Sequence, residues 1–154
     1  MAIQPAGVRA VRTDAGERHL AFAGLGLSLR WDSGLTPLVR AFPGPSIKTA
    51  SDSHLDLSLE VDPVAVARIL ADSQDCRQHL RLGNRHLWRS RRPGQVQMLD
   101  LTGSARGRFL LPDLLVARVP VIARPAVDAI SAWAARCGRL PLHASAAARD
   151  GRAF

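Results

Sequence analysis

Tyrosine is absent from these 154 residues, and aromatic side chains make up only 5% of them. A core built from this chain must therefore rest mainly on Leu, Val, Ala and Ile. Lysine occurs once, at Lys48. Cysteine occurs twice, at Cys76 and Cys137, and never as a Cys-x-x-Cys pair. Two distant thiols make neither a disulfide framework nor a zinc site, so a reducing cytoplasm is the expected location. The first residues carry no positive segment followed by an apolar run, and no signal peptide is expected. The most apolar region, Phe109 to Ala123, is interrupted by Pro112, Asp113, Arg118 and Pro120. It is too short and too polar to span a bilayer, so no membrane partner is expected.

What the chain does have is arginine. The formal charge is +8, and all but one of its basic residues are Arg. Such a balance favours anionic partners: nucleic acid, acidic protein or phosphate. The basic residues are scattered, however, with the densest stretch between Arg77 and Arg92. No aromatic-basic interleaving resembles a single-strand binding platform. Nucleic acid is therefore disfavoured against a solvated basic surface. A hydrophobic content of 47% with 22% charged residues is that of a globular protein. The length suits one domain, or one small domain with the edge of a second.

Period-two patterning dominates the first two thirds. From Leu25, the apolar residues Leu27, Leu29 and Trp31 alternate as on one face of a strand, with Gly24 and Gly26 suggesting a turn or bulge just before it. Met1 to Arg18 reads as a leader or an edge strand. Leu55, Leu57, Leu59 and Val61 alternate with His54, Asp56, Ser58 and Glu60, which predicts a half-buried strand. Asp62-Pro63 then fits a helix start, N-cap followed by first-turn proline, running to about Ala71. From Cys76 to Leu111 the signals favour an antiparallel meander. Gln78 to Leu82 and Arg85 to Ser90 flank the turn Gly83-Asn84, and strands near Gln95 to Leu101 and Gly107 to Leu111 follow. After Arg124-Pro125 the period changes. Val127, Ile130, Trp133, Ala134 and Cys137 form the stripe of an amphipathic helix with Gly138 as its C-terminal cap.

The expected fold class is α+β. A strand-rich, mostly antiparallel domain over residues 1–122 precedes a helix and strand, 123–154, that open a second unit. Leu140 to Ala148 reads as a strand, Asp150-Gly151 as a turn, and Arg152 to Phe154 as a strand barely begun. This end is expected to be cut rather than finished.

Among residues that can carry chemistry, His143 stands out. On period two it shares a strand face with Ser145, and the small residues around it leave room for a ligand or a phosphate. Imidazole moves protons near neutral pH. From spacing alone, a lone histidine without partner geometry reads first as a satisfied core residue. His19, His54, His79 and His86 are dispersed, and no cysteine or carboxylate completes a metal set around them. Arg85, Arg89, Arg91 and Arg92 suggest a basic ridge on the meander. It reads as solvated hairpin charge or as a docking surface for an acidic peptide or protein.

Gly138-Arg139-Leu140-Pro141-Leu142-His143-Ala144-Ser145, followed by Asp150-Gly151-Arg152-Ala153, is similar to the stretch before the Walker A loop in the HPr kinase/phosphorylase-related family. The preceding helix matches that layout, and the resemblance covers about the last thirty residues. It implies the start of a P-loop α/β core. It also implies His143 as the catalytic, phosphate-proximal residue, and ATP with Mg2+ as cofactors of the full-length protein. The acceptor would be a serine-like hydroxyl on a protein or peptide. The strand-rich domain would present that substrate or mediate assembly into a homo-oligomer. The phosphate loop itself is not in these residues: no Gly-x-x-x-x-Gly-Lys-Ser/Thr occurs. Lys48-Thr49 follows Pro45-Ser46-Ile47, where proline removes a backbone donor that a phosphate cradle needs. These 154 residues alone are expected to transfer no phosphate.

Overall fold

The computed structural model describes residues 15–22, 24–40, 42, 53–71, 77–91, 94–118, 125–139, 148–149 and 152–153. Their centre is a seven-stranded mixed sheet. In chain order the strands are β1 (Gly16–Phe22), β2 (Leu25–Trp31), β3 (His54–Val61), β4 (Arg77–Leu82), β5 (Arg85–Ser90), β6 (Gln95–Asp100) and β7 (Ala105–Leu111). Across the sheet they lie β1-β2-β3-β7-β6-β5-β4. The helices are α1 (Thr36–Val39), α2 (Pro63–Ala71) and α3 (Val127–Arg136), with a 3-10 turn at Val116–Arg118. The α+β expectation therefore holds, with strands dominating.

The expected meander is present as β4 to β7, all antiparallel. The β1–β2 pair is antiparallel too, but β2–β3 and β3–β7 are parallel. The parallel centre explains the leucine-rich pattern. Leu55, Leu57 and Leu59 of β3 are fully buried, flanked by Leu27 and Leu29 of β2 and by Phe109 and Leu111 of β7. Gly107 makes this close packing feasible. A Cβ there would lie 2.8 Å from Leu57 Cδ1, so a side chain would force the inner leucines apart.

Helices cover both faces of the sheet. On one face, α1 places Leu38 and Val39 in the main core, and α3 adds Ala129, Trp133 and Ala134. α2 lies on the other face, where Val66 packs with Val96 and Leu110, and Leu87 and Met98 flank them. The start of α2 is as its sequence suggests: Asp62 Oδ1 accepts from the Ala65 amide at 2.8 Å, and Pro63 occupies the first position. The end of α3 also follows expectation. Gly138 has φ +72°, the Gly138 amide donates to Ala135 O, and the Arg139 amide donates to Ala134 O. These two hydrogen bonds satisfy carbonyls that the last turn leaves open.

The stripe expected on α3 holds except at its start. Trp133 and Ala134 are buried and Ile130 and Cys137 pack against the core, but Val127 is 42% exposed and Ala129 is buried in its place. The cause is on β6. The side chain of Gln97, only 3% exposed, accepts from the amides of Asp128 and Ala129 at 3.1 and 3.2 Å and donates to Asp128 Oδ2 at 2.8 Å. Ala126, at the cap position with φ 57°, has no side chain able to do this. A sheet glutamine thus supplies the missing cap and turns Ala129 rather than Val127 toward the sheet.

Apart from the main sheet, Ala148–Arg149 pairs antiparallel with Arg152–Ala153. Arg149 pairs with Arg152, so the two residues between them are Asp150 and Gly151.

Candidate functional site

His143, Ser145 and the Pro45–Thr49 segment lie outside the described residues. The four histidines that look dispersed in the sequence are brought together in two pairs, at opposite wings of the sheet.

The first pair straddles β2. On the face away from α3, His19 Nδ1 lies 2.7 Å from Ser28 Oγ, and Ser28 Oγ lies 2.8 Å from His54 Nε2. Glu17 sits 3.8 Å from His19 Nε2, and Asp56 sits 3.5 Å from His54 Nε2. Alternation explains the gathering: His19 is opposite Ser28, and Ser28 is opposite Asp56. Ser28 is only 5% exposed. Its single hydroxyl proton serves one histidine, so the other must donate to it. No complete nucleophilic triad results. Asp56 meets the same nitrogen of His54 that contacts the serine, and Glu17, on the ring nitrogen of His19 opposite the serine, stands at 3.8 Å, beyond hydrogen-bond distance.

The second pair lies on the β4–β5 hairpin. His79 Nε2 and His86 Nδ1 are 3.1 Å apart. Trp88 lies against both, with ring centroids 4.7 Å from His79 and 5.3 Å from His86, all nearly parallel. The hydrogen bond requires a lone pair on one ring, so at least one of the two is neutral while it is made. Burial, then the charges of His79 and Arg81, hold His86 below the ordinary histidine value of 6.5.

Beside Trp88 an open cleft of about 280 Å³ separates the hairpin from the first turn of α3, lined by Arg77, His79, Trp88, Gln95, Gln97 and Asp128. Its walls are fixed. Gln97 ties α3 to β6, and Arg89 donates to Gln78 Oε1 at 2.6 Å and to the Ile69 carbonyl at 2.9 Å. That last contact places a cation near the C-terminus of α2, where the helix dipole favours it.

Of the basic ridge expected from Arg85, Arg89, Arg91 and Arg92, Arg85 stays exposed while it bonds Asp100 at 3.0 Å, Arg89 is engaged as described, Arg91 is exposed, and Arg92 lies outside the described residues. Arg77 and Arg81 on β4 are exposed as well, and Arg81 donates to the Gly83 carbonyl at 3.0 Å. Arg108, on β7, forms a two-pronged pair with Glu60 on β3. The hydrogen bonds from Arg108 are the largest influence holding Glu60 below its ordinary 4.5.

No group of three or more His, Cys, Asp or Glu residues suited to a metal ion occurs among the described residues. None of the described helices is long and apolar enough to cross a membrane. Comparison with protein-family models, curated proteins and solved structures finds no match for the chain.

The His79–Trp88 contact had a sequence signal. Once Gly83-Asn84 is a two-residue turn, counting outward sets His79 opposite Trp88. The meeting of Ser28 with His54 and the capping by Gln97 had none, because they come from the parallel β2–β3 pairing and from a helix 31 residues away.

Proposed function

We propose that this chain is the front portion of an ATP-dependent kinase related to HPr kinase, and that its seven-stranded domain docks the protein or peptide whose serine-like hydroxyl is phosphorylated. The observation that carries the kinase part is the order of elements at the C-terminal end: helix α3, the Gly138 cap, the run Leu140 to Ser145, and the strand pair that brackets Asp150-Gly151. That order and those residues are similar to the approach to the phosphate loop in that family. In this reading His143 stands near the transferring phosphate.

ATP and Mg2+ do not fit these residues. The chain has no glycine-rich Gly-Lys-Ser/Thr loop, and no metal-suited cluster occurs among the described residues. Nucleotide chemistry is therefore assigned to residues beyond these 154. Residues 1–154 incubated with ATP and Mg2+ are expected to release no phosphate. A chain extended through the phosphate loop is expected to phosphorylate serine-bearing protein. His143→Ala in that longer chain should lower transfer by about 100-fold or more. Magnesium-dependent turnover by residues 1–154 alone, or full activity of the His143→Ala chain, contradicts the assignment.

A second reading is favoured by the exposed cations Arg77 and Arg81 on β4: a free-standing basic module that binds an acidic partner. It requires partner binding by residues 1–154 with no kinase activity in any longer product of the gene.

A further inference from the structure

We propose that the free edge of β4 is a strand-addition site for an extended segment in which acidic residues alternate with aliphatic ones. This rests on the reading that the sheet domain docks a partner, and it is independent of kinase activity.

Among the described residues β4 pairs only with β5. The turn Gly83-Asn84 has φ +59° at Gly83, and it closes the ladder at Leu82 and Arg85. In a hairpin with a two-residue turn the closing pair is hydrogen-bonded, and every second pair after it. Leu82, Leu80 and Gln78 therefore direct their backbone groups to β5. Arg77, His79 and Arg81 direct theirs outward, as a row that no strand among the described residues pairs and that a further strand could join.

The side chains of β4 define what such a strand must carry. Arg77, His79 and Arg81 stand on the face shared with Trp88 and the cleft. Gln78, Leu80 and Leu82 stand on the opposite face, where Leu80 is 41% and Leu82 80% exposed. One row carries two arginines, Arg77 and Arg81, and the other is largely apolar. A complementary strand places acids beside the first row and aliphatic side chains beside the second.

The other edge of the sheet is built differently. Strand β1 mixes Glu17 with Arg18, and its Leu20 is buried. Edges are normally blunted by charge, proline or bulges. Strand β4 has no acid and no proline, and it leaves two leucines open.

A second copy is a poor occupant. Antiparallel self-pairing with the sheet faces aligned sets Arg77, His79 and Arg81 against the same row of the other chain, and directly opposed like charges destabilise a pair. The edge is also held in shape before anything binds. Arg89 clamps the hairpin to α2, and His79, His86 and Trp88 lie flat on one another. Little ordering is left to oppose binding.

The test uses residues 1–154 and three probes: a capped nine-residue peptide alternating Glu with Val, the same composition with the Glu residues in one block, and a thymidine oligonucleotide. Amide hydrogen exchange and titration by NMR are the readouts. The alternating peptide is expected to protect the amides of Arg77, His79 and Arg81. It should bind at least about tenfold more tightly than the blocked peptide, since only alternation matches both rows. The doubly substituted R77E/R81E chain should lose that binding and gain affinity for a Lys-Val alternating peptide. His79→Pro keeps both arginines and the β5 ladder but removes an outward N–H, and it should weaken binding as well. Equal binding of the alternating and blocked peptides reduces the surface to plain charge and overturns the proposal. So does protection at β1, preferential binding of the oligonucleotide, or dimerisation through β4 in the absence of peptide.

Discussion

At one wing of the sheet, His19 and His54 meet through the hydroxyl of Ser28, with Glu17 and Asp56 alongside. At the other, His79 and His86 meet directly, stacked on Trp88, with Arg81 nearby. Both pairs arise from period-two alternation on adjacent or next-adjacent strands. Their surroundings separate them. The first is interleaved with carboxylates and is a polar ladder closed on itself. The second lies beside Arg77 and Arg81 on the outermost described strand. The same residue type is thus set among carboxylates at one wing and beside arginines at the other.

Both wings hang on a common rigid centre, and removing that centre should have the largest effect. Leu57→Ala in the middle of β3 is expected to cost about 3 kcal/mol or more, because a fully buried leucine leaves a cavity among packed neighbours. Chemical denaturation should show both wings lost together. If Trp88 fluorescence survives while the rest unfolds, the wings do not share a core.

Gln97→Leu should come next, at about 2 kcal/mol. The amides of Asp128 and Ala129 lose their acceptor, and the first turn of α3 lies too close to the sheet for full hydration. Exchange at those two amides should accelerate more than at β1, separating the cleft wing from the other.

The pH response sharpens the contrast further. Because the folded-state value of His86 lies below 6.5, the unfolded chain binds the proton more readily. Stability is then complete above that value and declines as the pH falls below it. Glu60, held low by Arg108, acts in the same direction but only as the pH falls below 4.5. Denaturation at pH values between 4.5 and 6.5 should show a decline that His86→Asn flattens and Glu60→Gln leaves in place. A decline insensitive to His86→Asn assigns it elsewhere.

The smallest change is expected from Arg85→Ala. The Arg85–Asp100 pair is exposed, and such pairs contribute about 0–1 kcal/mol. A larger loss on thermal melting means that the hairpin relies on surface charge as well as on its clamp to α2.

The strands of the meander, the alternation of β3 and the start of α2 were legible because each rests on local signals: a turn dipeptide, a period, a cap. The Gly138 cap of α3 was legible for the same reason. The parallel β2–β3 and β3–β7 pairs were not, since His54–Val61 reads the same whichever neighbours it takes. The burial of Ala129 in place of Val127 in the first turn of α3 was hidden because Gln97, far away in sequence, caps that turn. Of the candidate site, the composition of the hairpin was visible, but the partners of its arginines were not. Only the fold shows Asp100 engaging Arg85 and the Ile69 carbonyl engaging Arg89.

The central claim, that a docking domain leads into a kinase core, is tested most directly by sequencing the coding DNA beyond the Phe154 codon. The account predicts that the frame continues into a glycine-rich Gly-Lys-Ser/Thr loop followed by a helix. A stop codon with no such loop beyond it contradicts the kinase assignment and leaves the basic β4 edge as the functional surface.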